Sequence, residues 1–227
     1  MVAMLVQRKD DLMKLYTYWR SSAAFRGRLA LALKGIKAEH VAINLAQGEQ
    51  WGADYTEVNH QSIVPTLEDG GLVIRQSVAI FEYLEETYPE PPLLPCDAAG
   101  RARVRAIAQA IACEMHPRLS NRVRAYVAEN FCDQARDDWY AHWGSQGFVA
   151  LEDWLSSDPD TGRFCHGEAP TMADCFVVPQ LYAAKRYDLD LSVFPTLMAI
   201  EAACAEHPGF IEALPENQPD VGDDVRP

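Results

Sequence analysis

Arg20, Ser21 and Ser22 stand where a β-forming run, Met13–Tyr18, gives way to the apolar, helix-like stretch FRGRLALAL. A helix presents unpaired N–H groups and the positive end of its dipole at that point. Two readings fit these residue types. A serine there can cap the helix, with Phe25, Leu29 and Leu33 then repeating every four residues on one buried face. Alternatively the hydroxyls, the cation and the N–H groups form an anion site, which would suit a thiolate. Further along, Pro65 opens a strand-like run, a place where its missing N–H is tolerable. If the Val64–Pro65 bond is cis, the backbone of Val64 turns outward and can pair with a peptide ligand. Ser77 reads as the N-cap of the next helix, and free N–H groups there would also hold a carboxylate.

The arginines cluster, with Arg101, Arg103, Arg105, Arg118, Arg122 and Arg124 in one stretch. Most read as solvated helix faces, and one or two could line a pocket for an acidic small molecule. Six cysteines show no C-x-x-C pair; Cys113, Cys175 and Cys204 sit in apolar runs and read as small core residues. Cys165-His166 has no partners at metal spacing, so no metal site is expected.

The elements that must position these groups follow from the pattern. Met13–Tyr18 and AEHVAINL read as strands flanking a helix over 22–33 that stops at Lys34-Gly35, which makes a βαβ unit and a parallel pair. A short helix is expected around 51–57. IVPTLEDGGLVIRQS reads as a strand, an Asp-Gly-Gly turn and an antiparallel strand, and SVAIFEYLEETYP as an amphipathic helix. PEPPLLPCDAAG is a proline-rich linker, beyond which helical periodicity dominates, interrupted near Pro117. Further helices are expected over about 133–155, 172–185 and 196–205, the second opened by a Thr171/Asp174 capping box. The tail from Pro215 is acidic and proline-rich and reads as loose.

The chain has 227 residues, 48% of them hydrophobic, which suffices for a packed core in one or two domains. A formal charge of −13 disfavours nucleic acid and anionic membrane as partners. No apolar run is long enough to span a membrane, and the start, MVAMLVQRKDDL, is no signal peptide. Reduced thiols fit a cytoplasmic setting. The leading dozen residues read as a dispensable extension.

The order βαβ, then ββα, then an all-helical domain after a proline-rich linker resembles the cytosolic glutathione transferases, and within them the zeta class with its maleylacetoacetate and maleylpyruvate isomerases. The resemblance rests on YWRSSAAFRGRLALALKG, VNHQSIVPTLEDGGLVIRQSVAIFEYLEETYP, LLPCDAAGRARVRAIAQ, EMHPRLSNRV and APTMADCFVVPQLYAAKRYDLDL, which run from Met13 to about Pro219. It implies a thioredoxin-like, glutathione-binding α/β domain over 13–90 and an all-α, substrate-binding domain over 101–215. It implies that Ser21 donates a hydrogen bond to the glutathione sulfur, with Ser22 beside it. Val64 and Pro65 would meet the cysteinyl part, Gln76 and Ser77 the γ-glutamyl carboxylate, and Gln50 and His116 further parts of glutathione. Arg20, Arg122 and Arg186 match arginines that grip the carboxylates of a dicarboxylate substrate. A homodimer is implied as well. One departure stands out: many zeta members carry a cysteine two residues past the first serine, where this chain has Ala23. That argues against reductive dehalogenation and leaves isomerisation intact. The alternatives are a general transferase that conjugates electrophiles and a non-catalytic glutathione-binding protein.

Overall fold

The computed structural model describes residues 12–222, so all of the leading extension except Leu12 lies outside the described residues. The chain groups into two compact units, one holding residues up to Pro89 together with those from Glu212 onward, the other Glu90–Ile211.

The first unit contains β1 (Lys14–Thr17), α1 (Ser22–Leu33), β2 (Glu39–Ala42), a 3-10 turn at Glu49–Trp51, α2 (Ala53–Val58), β3 (Thr66–Asp69), β4 (Leu72–Arg75) and α3 (Ser77–Thr87). The sheet order is β2-β1-β3-β4, with β1 parallel to β2 and the other pairs antiparallel. Gly70 and Gly71, at φ 56° and 86°, make the tight turn between β3 and β4, a backbone few other residues adopt cheaply. Helix α1 has the bounds its cap and its Lys-Gly stop signal. It is buried well beyond one face, however, with Arg26 and Arg28 almost wholly covered. Its end is tied to α3 by Lys34, which contacts Glu85 at 2.6 Å and donates to the Tyr88 carbonyl at 2.8 Å.

The tail expected to be loose is ordered as far as residue 222. Pro215–Asn217 form a 3-10 turn, and Pro215, Gln218 and Val221 are buried. The segment from Glu212 also groups with the first unit, whereas the sequence reading ran the helical domain to 215. The physical reason is a pair of single polar anchors: Arg28 donates to the Ala213 carbonyl, and Asp220 accepts from the Trp19 N–H.

The second unit is helical: α4 (Ala98–Gln109), a π-helical segment Ala110–Met115, α5 (His116–Leu119), α6 (Asn121–Asn130), α7 (Asp133–Ser157), α8 (Met172–Lys185) and α9 (Pro195–Ala205). A final helix, α10 (Pro208–Ala213), carries the chain to the segment that rejoins the first unit. Almost all of α8 is buried. Its start is held by Asp174, whose carboxylate accepts from the N–H groups of Cys165 and Thr171 and from the Thr171 hydroxyl. This fully buried carboxylate serves folding, because its acceptor capacity is spent on its own helix start and the preceding loop. Arg103 is equally committed, to Asp158, Thr161 and the Cys165 carbonyl. Cys175 and Cys204 are core residues as expected; Cys113 is exposed, because it lies on the far side of its segment from buried Ile111 and Met115. Among the described residues no helix is long and apolar enough to cross a membrane, and no group of three His, Cys, Asp or Glu is placed to hold a metal ion.

Candidate active site

The sheet register determines which backbone ends meet. Thr17 of β1 pairs with Ala42 of β2, Tyr16 with Thr66 of β3, and Thr66 with Arg75 of β4. The loop after β1, the Val64–Pro65 step before β3 and the Gln76–Ser77 step after β4 therefore share one end of the sheet. Crevices at strand ends of this kind are where α/β units bind ligands. Gly27 allows α1 to pack closely here: a side chain would place its first carbon 3.2 Å from Leu15 and 3.3 Å from Pro65.

Ser21 is the N-cap of α1, at φ −78° and ψ 116°, and its Oγ accepts from the Ala24 N–H at 3.2 Å. The structure thus realises the cap reading, and the cap does not compete with the other one. A serine hydroxyl has two lone pairs and one proton. Capping uses a lone pair, and no bond of the Ser21 proton is made among the described residues. Ser22, at the first helical position, is half-buried. Ala24, whose N–H makes the cap, packs in one apolar cluster with Val64, Ile43 and Tyr55. The cap and Val64 are thereby held by the same contacts.

Val64–Pro65 is cis, and the N–H and carbonyl of Val64 make no hydrogen bond among the described residues although the residue is only 4% exposed. The step after β4 departs from expectation. The N-cap of α3 is Gln76, not Ser77, which is buried at the first helical position. Gln76 has φ 77° and ψ 127°, a conformation costly for a residue with a side chain, and no side chain caps the N–H groups behind it. Its own amide donates to Gln61 at 2.9 Å. In the 3-10 turn after β2, Gln50 donates weakly to the Leu45 carbonyl, while its Oε1 is buried without a partner.

In the second unit, His116 follows the π-helical segment and opens α5, half-buried. Such segments cluster at functional positions. Arg122 is exposed near the start of α6, and Arg186 caps the end of α8. The hydroxyl of Tyr187 donates to Asn121 at 3.1 Å, which brings the neighbours of both arginines together. Sequence reasoning did not single out Tyr140 and Tyr187. Their rings lie 4.5 Å apart, and the guanidinium carbon of Arg124 sits 3.7 Å from the centre of the Tyr187 ring. Burial, and then Tyr187, push the Tyr140 hydroxyl's pKa up, against the pull of Arg124 and Arg186. Arg20, in the first unit, is exposed, its guanidinium 5.1 Å from the Trp19 ring.

The glutathione S-transferase N-terminal domain profile matches residues 12–86. Over 210 residues the chain is 44% identical to a maleylpyruvate isomerase of Ralstonia, covering 92% of this chain and 99% of that protein. The chain belongs to the zeta-class glutathione transferases. A solved bacterial zeta-class maleylpyruvate isomerase superposes on it with a TM-score of 0.89 at 43% identity, covering 92% of this chain and all of that one. A maleylacetoacetate isomerase from Anaeromyxobacter dehalogenans, solved with dicarboxyethyl glutathione and citrate in its active site, superposes at 0.86 with 42% identity. It covers 98% of this chain and 99% of that one. For a zeta-class transferase, the architecture found here, a thioredoxin-like four-stranded unit followed by helices, is the family's own.

Proposed function

We propose that this chain is a glutathione-dependent cis–trans isomerase of a maleyl dicarboxylate, maleylpyruvate or maleylacetoacetate. The observation that carries the reading is Ser21: a helix cap that keeps its proton, at the positive end of α1, whose Ala24 packs with Val64, a residue with an unpaired backbone.

The residues present fit glutathione. The unpaired backbone of Val64 suits its cysteinyl peptide group, and the uncapped N–H groups after Gln76 suit its γ-glutamyl carboxylate. The orphaned Gln50 Oε1 awaits a donor. When bound, glutathione supplies a thiolate that adds to the conjugated alkene, allows rotation about the resulting single bond and is released unchanged. The Ser21 hydroxyl would donate a hydrogen bond to the sulfur, keeping its proton, and so favour the charged form. A free thiol ionises near about 8.5. One hydrogen bond to a charged group contributes roughly 1.5–3 kcal/mol, and a helix N-terminus roughly 0.3–1 kcal/mol. After desolvation losses, a fall of about one to two pH units is the net expectation, at about 1.36 kcal/mol per unit. Arg20, Arg122 and Arg186 hold the substrate carboxylates and stabilise charge developing beside them.

Glutathione is expected to be required yet not consumed. Free thiol titrated over many turnovers of either acid should stay constant, and its stoichiometric loss would establish a conjugating transferase instead. Running both acids side by side identifies the preferred acyl tail. We further propose a cytoplasmic homodimer, which should scatter light as twice the 25.3 kDa chain; a single-chain mass at micromolar concentration would refute it.

A further inference from the structure

The four residues between β1 and α1 are held from behind by residues that are remote in sequence. Both main-chain groups of Trp19 are held: its N–H donates to Asp220 Oδ2 at 2.9 Å, and its carbonyl accepts from Arg28 Nη2 at 3.1 Å. Arg28 also donates through Nη1 to the Tyr18 carbonyl and Thr17 Oγ1, and through Nε to the Ala213 carbonyl. The Ser21 N–H in turn donates to the Tyr18 carbonyl at 3.0 Å. Bonds from residue 213 through a buried guanidinium, and from residue 220 directly to the Trp19 N–H, thus converge on the loop that ends in Ser21. Local sequence does not demand it, since a four-residue loop could be closed by its own side chains. The second oxygen of Asp220 is buried without a hydrogen-bond partner, and its charge acts on His40, whose pKa burial and then Arg28 lower and Asp220 raises.

We propose that the C-terminal segment 212–222 is a strap that sets the position of Ser21, with Asp220 and Arg28 as its positioning residues. The proposal rests on the reading of Ser21 as the group that ionises the bound thiol. It deepens that reading by assigning part of the thiol's activation to residues about 200 positions downstream (Trp19 and Asp220 lie 201 apart). Removing the acceptor lets the Trp19 peptide move, and a hydroxyl displaced by a fraction of an ångström donates less well to a sulfur anion.

The test uses the full chain. Asp220→Ala deletes the acceptor, Asp220→Ser leaves one too short to reach Trp19, and Asp220→Asn keeps a neutral one in place. Thiolate absorbance of bound glutathione, followed against pH, is the direct readout. In the Ala and Ser variants the ionisation midpoint should rise by about half to one pH unit, and kcat/KM near neutrality should fall about 3- to 10-fold. The loss should shrink at high pH, where the thiol ionises unaided. The Asn variant should lie between these and the wild type. A role confined to stability would lower Tm and leave midpoint and pH profile unmoved, which overturns the strap. Having the Ser and Asn variants keeps the test open should the Ala variant fold poorly. If the wild type binds glutathione without ionising it, the function reading and the strap fall together. If it ionises the thiol and the variants do so at the same pH, the strap alone falls.

Discussion

Ser21→Ala should lower kcat/KM by about 10- to 1,000-fold, while Ser22→Ala changes it far less. The expected size follows from losing a charge-assisted hydrogen bond of roughly 1.5–3 kcal/mol plus some misplacement of the sulfur. The structure adds a complication that can be turned into a control. Ser21 also caps α1, so its removal leaves the Ala24 N–H without its acceptor and should cost about 0.5–2 kcal/mol of stability. Ser21→Asp separates the two roles. A carboxylate caps a helix as well as a hydroxyl does, but it can only accept hydrogen bonds and repels a thiolate. The Asp variant should therefore recover Tm and not turnover, while Ser21→Thr recovers much of both. Steady-state kinetics and thermal melts on the four variants decide the matter. Equal losses at Ser21 and Ser22, or recovery of turnover in the Asp variant, would remove Ser21 as the sulfur's donor.

What could be read in advance divides along physical lines. The bounds of α1 were legible because a capping serine, a helical apolar period and a Lys-Gly stop agree with one another. The β3–β4 hairpin was legible because Asp-Gly-Gly needs the positive φ that Gly70 and Gly71 adopt. The start of α3 was misjudged by one residue, since serine is the better cap by type. Nothing in a glutamine announces φ 77°. The π-helical segment was hidden for another reason: it shifts the helical phase over only six residues, Ala110–Met115, too few to disturb a periodicity. The tail was misread on composition. Acidic, proline-rich segments usually stay loose, but this one is fixed by Asp220 and the Ala213 carbonyl, each through a single polar bond without a sequence pattern, and is braced internally by two bonds from Gln218. Likewise Arg122 and Arg186 were named only by family resemblance. What joins their surroundings is a bond between their neighbours Tyr187 and Asn121, 66 residues apart.

The arginine series is the most discriminating measurement on the substrate side. Truncation of a surface charge typically costs within about 0.5 kcal/mol and leaves affinity alone. If Arg20, Arg122 and Arg186 hold the carboxylates, each Ala variant should instead lose roughly 2–4 kcal/mol of transition-state stabilisation, about 30- to 1,000-fold in kcat/KM. Lysine replacements should rescue only part of this, because an ammonium cannot reproduce the planar two-point grip. Glutathione affinity should be nearly unchanged in Arg122→Ala and Arg186→Ala, whereas Arg20→Ala can affect both ligands, since Arg20 adjoins Ser21. The surroundings of Arg186 supply an internal comparison. Arg124 stacks on Tyr187 and faces Asp137 at 3.9 Å, so Arg124→Ala removes a nearby cation that has packing partners of its own. A loss at Arg186 well above the loss at Arg124 would point to direct contact with substrate, whereas equal losses would point to a general positive field. Wild-type kinetics in both Arg122→Ala and Arg186→Ala would take away the grip on a dianion. The isomerase reading would then fail in favour of a transferase that conjugates neutral electrophiles.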